Sequence, residues 1–158
     1  MLGGNKMRND IINVAASHIG YTEGANNKNQ FGEWYGMNNV AWCAQFVSYC
    51  YHFAGHSLPK IDTDQGFHYV PTMYHRAKQN KWITNKPQVG DIVLFDWNLD
   101  LKHDHTGIFV RWVTPTTFEC IEGNTSGDNK GSQSNGGGVH KRVRGVAFAT
   151  FVNIFDHV

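Results

Sequence analysis

The apolar pattern of this 158-residue chain changes its period near Val89, and that change limits the possible folds more than any other feature. Before it, apolar residues recur at helical spacing; after it, they fall in short runs bounded by turn residues. The segment Ala41–Ala54 is the clearest helix, with Phe46, Val47, Cys50 and Phe53/Ala54 forming one buried stripe that Gly55 stops. Asn9 or Asp10 can cap an earlier helix through Ile11, Ile12, Val14 and Ala15, closing near Gly20. Residues 21–40 read as loop with one short helix around Phe31–Tyr35, and Pro71 suits the first turn of a further helix. Val89–Trp97, Thr106–Val113, Thr117–Glu122, Val139–Arg144 and Val146–Ile154 read as strands. Helices first and strands afterwards predict an α+β fold, an antiparallel sheet with helices against one side.

Composition narrows the class. The length fits one domain, and neither a repeat nor a Pro/Ser-rich linker divides it. With 41% hydrophobic and 13% aromatic residues the chain is far from disordered composition. Fourteen basic against 13 acidic residues leave a formal charge of +1, which argues against a nucleic-acid partner. Three cysteines, Cys43, Cys50 and Cys120, form no disulfide framework and point to synthesis in a reducing cytoplasm. The N-terminal residues carry no apolar h-region, so no signal peptide is expected, and no apolar run is long enough for membrane insertion.

Cys43 falls in the first turn of the helix at 41–54, where unpaired backbone N–H groups and the helix dipole favour an anion. Thiols in such positions become good nucleophiles, although a small buried hydrophobe would also fit there. Cys50, on the apolar face, and Cys120, in mid-strand, read as packing. A thiolate needs an imidazole partner that a third group orients. Of the nine histidines, His105 stands at the lip of a strand beside a polar loop, where a side chain is both held and reachable. Glu122 ends the next strand, and Asn124 shares its face if the strand persists that far. Each residue alone has an ordinary explanation; together they place a helix-borne cysteine opposite a sheet-borne histidine and acid. A competing arrangement is a zinc site on His103 and His105, which lacks evident further ligands. The stretch Gly123–Gly138, with six glycines, has no phosphate-loop motif and reads as a hairpin connection.

In sequence order, Trp42-Cys43-Ala-Gln-Phe-Val47, Val89-Gly-Asp-Ile-Val-Leu-Phe95, His105-Thr-Gly-Ile108 and Ile121-Glu-Gly-Asn124 resemble the motifs of CHAP (cysteine, histidine-dependent amidohydrolase/peptidase) domains. The intervals, 62 residues from Cys43 to His105 and 17 onward to Glu122, are similar to that family's. Thr22–Asn27, Phe31–Gly36, Gly123–Ser126 and Ser134–Val139 resemble endolysins of phages that infect Gram-positive bacteria. The resemblance spans about residues 8–155 and implies a papain-like α+β fold that cleaves an amide bond of peptidoglycan. It implies Cys43 as nucleophile, His105 as general base, Glu122 as the group orienting it and Asn124 as an auxiliary polar residue. Amidases and endopeptidases share this set, so the bond cut is not specified.

Some relatives bind calcium through carboxylates just before the cysteine, but Trp34–Trp42 contains none, so neither calcium nor another cofactor is expected there. Residues 1–158 read as one catalytic domain without a separate wall-binding domain, a monomer that reaches the wall after release from the cell. Lys141, Arg142 and Arg144 could contact anionic wall polymers, though a solvated strand explains them as well. A wall-binding module of the same fold is the alternative from a different functional class.

Overall fold

Helices α1 (Leu2–Ser17), α2 (Gln30–Tyr35), α3 (Cys43–Phe53) and α4 (Val70–Gln79) precede the sheet in the computed structural model, which describes residues 2–127, 132 and 135–155. The strands are β1 (Ile83–Thr84), β2 (Ile92–Phe95), β3 (His105–Thr114), β4 (Thr117–Thr125), β5 (Gly138–Gly145) and β6 (Ala149–Val152). They form one antiparallel sheet in the order β1-β6-β2-β3-β4-β5. The α+β architecture is therefore as expected, with helices first and strands last. No helix among the described residues is long and apolar enough to cross a membrane.

Three details differ from the sequence expectation, the first being that Val146–Phe148, expected as strand, forms a 3-10 turn ahead of β6. Helix α1 begins at Leu2, so Asn9 and Asp10 lie inside it rather than at its cap. A tertiary anchor accounts for this early start. Arg8 is buried, donates to Asp91 Oδ1 at 2.7 Å, Val89 O at 2.9 Å and Asn153 Oδ1 at 3.1 Å, and stacks over Phe155. Contacts this distant in sequence outweigh the local preference of Asn and Asp for helix starts. Strand β1 is also absent from the sequence expectation; it has two residues and, among the described residues, pairs only with β6, through Ile83 with Val152 and Thr84 with Phe151. So short a strand carries no periodicity of its own.

Alternation along β2 divides the interior in two. Ile92 and Leu94 join Ile108, Ile121 and Val152 against α1 and α3, while Val93 and Phe95 join Phe109, Phe118, Cys120 and Phe151 on the opposite face. His105 opens β3 opposite Phe95, and directly opposed residues share a face. Helix α3 packs on β3 and β4. It comes close because Gly123 has no side chain: a Cβ there would lie 2.6 Å from Phe46 Cβ and 2.9 Å from Trp42 Cζ3. Phe31, stacked on Trp42 at 5.3 Å, holds the helix start from the other side. The first turn of α3 is thereby fixed beside the end of β4.

Candidate active site

Cys43 is the first residue of α3, and the preceding Trp42 supplies no side-chain cap to that helix end. The amides of the first turn thus remain a source of partial positive charge. The thiol is 6% exposed and lines a groove of about 320 Å³ with Ala41, His68, Tyr69, His103 and Asp104. Cys50, buried in the helical core, packs as expected.

The His105 imidazole is fully buried, and its Nε2 donates to Glu122 Oε1 at 2.7 Å. Phe95 and Trp97 stack on the ring at 5.7 and 5.9 Å. Gly107 lies on the same face as His105, and a Cβ there would stand 2.7 Å from Glu122 Cγ. Its bare backbone gives the carboxylate room to reach the ring. Burial, the largest single influence, disfavours the imidazolium, but the Glu122 charge, the adjacent Cys43 thiol and the Glu122 hydrogen bond together raise the pKa to about 9. With Nε2 taken by Glu122, Nδ1 is the ring nitrogen left open to Cys43.

Glu122 is itself fully buried, and four donors converge on its two oxygens. Oε1 accepts from His105 Nε2 and, at 2.5 Å, from Arg144 Nη2; Oε2 accepts from Arg144 Nε at 2.8 Å and from Cys120 Sγ at 2.7 Å. Burial pushes this carboxyl up, yet the Arg144 hydrogen bonds and His105 outweigh it and hold the pKa at about 2. Cys120 packs in the second core as expected, and its thiol adds a contact that packing alone does not imply. Burial first, then the Glu122 charge, push that thiol well above its usual pKa.

Sequence reasoning missed Arg144. The expectation of a solvated basic strand holds for Lys141, whose side chain is 54% exposed, but not for Arg142 and Arg144, each 8% exposed. The alternation of β5 reads backwards, for Val143 points outward at 56% exposure while its arginine neighbours turn in. Arg144 is taken in because Glu122 awaits it there; its guanidinium also lies 4.8 Å from the centre of the Trp97 ring. A buried carboxylate on one strand is the signal that would have found it, and that signal is not local.

Asn124 is brought to a different place. A register shift between Glu122 and Thr125 and a φ of 58° at Asn124 break the period-2 alternation that would have put it on Glu122's face. Among the described residues its side chain donates to Asn135 Oδ1 at 3.2 Å and accepts from Gly137 N at 3.3 Å, tying down the glycine-rich connection. His103 and His105 are likewise committed to different partners. His103 stacks on Tyr74 at 4.3 Å and its Nε2 lies 3.3 Å from Thr150 Oγ1. Among the described residues no three His, Cys, Asp or Glu side chains are placed to share a metal.

A helix-borne thiol beside a sheet-borne imidazole that a buried carboxylate orients has the layout of a thiol-dependent acyl-transfer site. The CHAP domain family model matches residues 34–124, more than half of the chain and a span that includes Cys43, His105 and Glu122, and the chain belongs to that family. CHAP domains are typically cysteine- and histidine-dependent amidohydrolases, and the family generally indicates peptidoglycan hydrolysis. A comparison with curated proteins gives no match.

Proposed function

We propose that the protein is a peptidoglycan hydrolase of the endolysin type, acting on Gram-positive walls and cutting an amide bond by cysteine acyl transfer. The observation that carries this reading is the His105–Glu122 contact of 2.7 Å in a buried cluster adjoining Cys43. The sulfur of Cys43, its proton held by His105, attacks the amide carbonyl carbon. The oxyanion that forms is met by amides at the start of α3. His105 returns its proton to the amine as the C–N bond breaks, leaving a thioester on Cys43. Water, giving a proton to His105, then adds to that thioester; the acid product departs and the thiol is restored. Glu122 keeps the imidazole in one tautomer and orientation throughout. Asn124, by pinning the glycine-rich connection next to Glu122, supports the site indirectly. The groove beside Cys43 is the place for the peptide.

The test is clearing of a Gram-positive wall suspension by wild type, Cys43→Ser and a chelator-treated sample, with mass analysis of the fragments. Wild type and the chelated sample should clear at equal rates, and Cys43→Ser should lose roughly 10³-fold or more. New amino and carboxyl ends on the fragments identify the bond. Activity that survives Cys43→Ser and dies with chelator would replace this mechanism with metal chemistry at His103 and His105. Wall binding without clearing would make the chain a binding module.

A further inference from the structure

We propose that Arg144 is a positioning residue of this site, acting through Glu122 to keep the carboxylate charged and aimed at His105. The inference rests on the acyl-transfer reading for its consequence in catalysis, but its physical content, the state of Glu122, is measurable without substrate. Arg144 lies on β5, outside the segment 34–124 that the family model matches.

Geometry carries the argument. A carboxylate has about four lone-pair positions, and in Glu122 all four are filled. Arg144 fills two of them as a bidentate fork, His105 one and Cys120 one. A monodentate partner would leave the carboxylate able to rotate about its last bond. The fork fixes the carboxylate plane, and with it the direction from which Oε1 meets Nε2 of His105. Arg144 is in turn fixed by Thr125 Oγ1 at 3.3 Å and by the rings of Trp97 and Phe95, at 4.8 and 5.7 Å. Those same rings stack on His105. Imidazole, carboxylate and guanidinium are thus held by one aromatic pair.

Charge points the same way. A fully buried carboxylate without a permanent cation would take up a proton and lose its hold on His105. His105 cannot fill this role, because it gains and loses a proton during the reaction, whereas a guanidinium stays charged. The groups facing Glu122 are His105 on β3, Cys120 on its own strand, and Arg144 and the opposed His140 on β5, while Arg142 bears on Cys120. Cys43 and Asp104 act on it only through His105.

The experiment compares wild type, Arg144→Lys, Arg144→Met, Glu122→Gln and the double variant Arg144→Met/Glu122→Gln. Selective ¹³C labelling of the four glutamates lets the Glu122 carboxyl be titrated directly. Its midpoint should rise by about 1–3 pH units in Arg144→Met and by less in Arg144→Lys. In wall hydrolysis kcat should fall with KM little changed, the acid limb of the pH profile should move up with the carboxyl midpoint, and Arg144→Lys should recover part of the loss. In the Glu122→Gln background, adding Arg144→Met should cost nothing further in kcat. If Arg144→Met does not fold, Arg144→Lys and the double variant, which removes both buried charges, carry the same comparison. An unmoved Glu122 midpoint and acid limb in Arg144→Lys, or full additivity in the double variant, would overturn the proposal. A shifted carboxyl midpoint in a protein that hydrolyses no wall would instead leave the Arg144–Glu122 linkage standing and remove the proposed function.

Discussion

Glu122→Gln should turn the His105–Glu122 pair into a measurable difference in stability against pH. The Glu122 carboxyl is held at about 2, against 4.5 for an ordinary glutamate, by Arg144 and His105 acting against burial. Its contribution is therefore fully present above pH 4.5 and is lost as pH falls toward 2. His105 is raised from 6.5 to about 9 by Glu122 and Cys43, again against burial. That contribution is present below pH 6.5 and is lost as pH rises through 9. Each limb corresponds to about 3 kcal/mol, and because the two share the His105–Glu122 interaction they are not summed. In Glu122→Gln the acid limb loses its cause and the alkaline limb keeps only the Cys43 part, while Arg144 faces a neutral amide, which adds an offset that does not vary with pH. Urea unfolding of both proteins from pH 3 to pH 10 gives the difference directly. Subtracting the variant's curve also cancels the other acids and histidines that titrate in both. The difference should peak between pH 4.5 and 6.5 and decline on both sides, by up to about 3 kcal/mol by pH 9 to 10. A difference that stays constant within about 0.5 kcal/mol across that range would refute the reasoning, since no coupled charged pair would then exist.

Three further substitutions separate the site from the scaffold. Gly107→Ala sets a Cβ at 2.7 Å from Glu122 Cγ and 3.0 Å from Ile121 O, so the carboxylate must shift and wall hydrolysis should drop roughly 10²-fold. Gly145→Ala, whose nearest neighbour is Thr116 O at 4.0 Å, is the control and should stay within about twofold of wild type. Asp91→Asn leaves Arg8 buried without its counter-charge at 2.7 Å and should cost about 3–5 kcal/mol in urea unfolding, while the folded fraction keeps its specific activity. Loss of activity in proportion to Gly107→Ala would instead tie the α1 anchor to the site.

The elements that position the nucleophile were legible because their signals are local. The stripe Phe46, Val47, Cys50 marks α3 within a dozen residues, and it puts Cys43 in the first turn without any knowledge of the rest. The apolar runs at β2, β3 and β4 likewise declare themselves, and with them the placing of His105 at a strand start and of Glu122 on the neighbouring strand, which runs on to Thr125 rather than ending at Glu122. Asn124 shows where that logic stops, since alternation predicts its face only while the strand stays regular, and the bulge after Glu122 ends that.

What the sequence determined by itself is the order of helices and strands, the thiol at a helix start, and the histidine and acid carried on neighbouring strands. Tertiary structure alone decided which groups complete them. Arg144 looked like a solvated charge because a strand of alternating basic residues normally faces water, and only the Glu122 carboxylate, 22 residues away, turns it inward. Arg8 extends α1 by reaching Asp91, 83 residues on. Gly107 and Gly123 matter for what would collide with them, which no local pattern encodes. Periodicity follows from the geometry of neighbouring backbone units, whereas the partner of a buried charge is fixed only when distant strands meet and water is excluded between them.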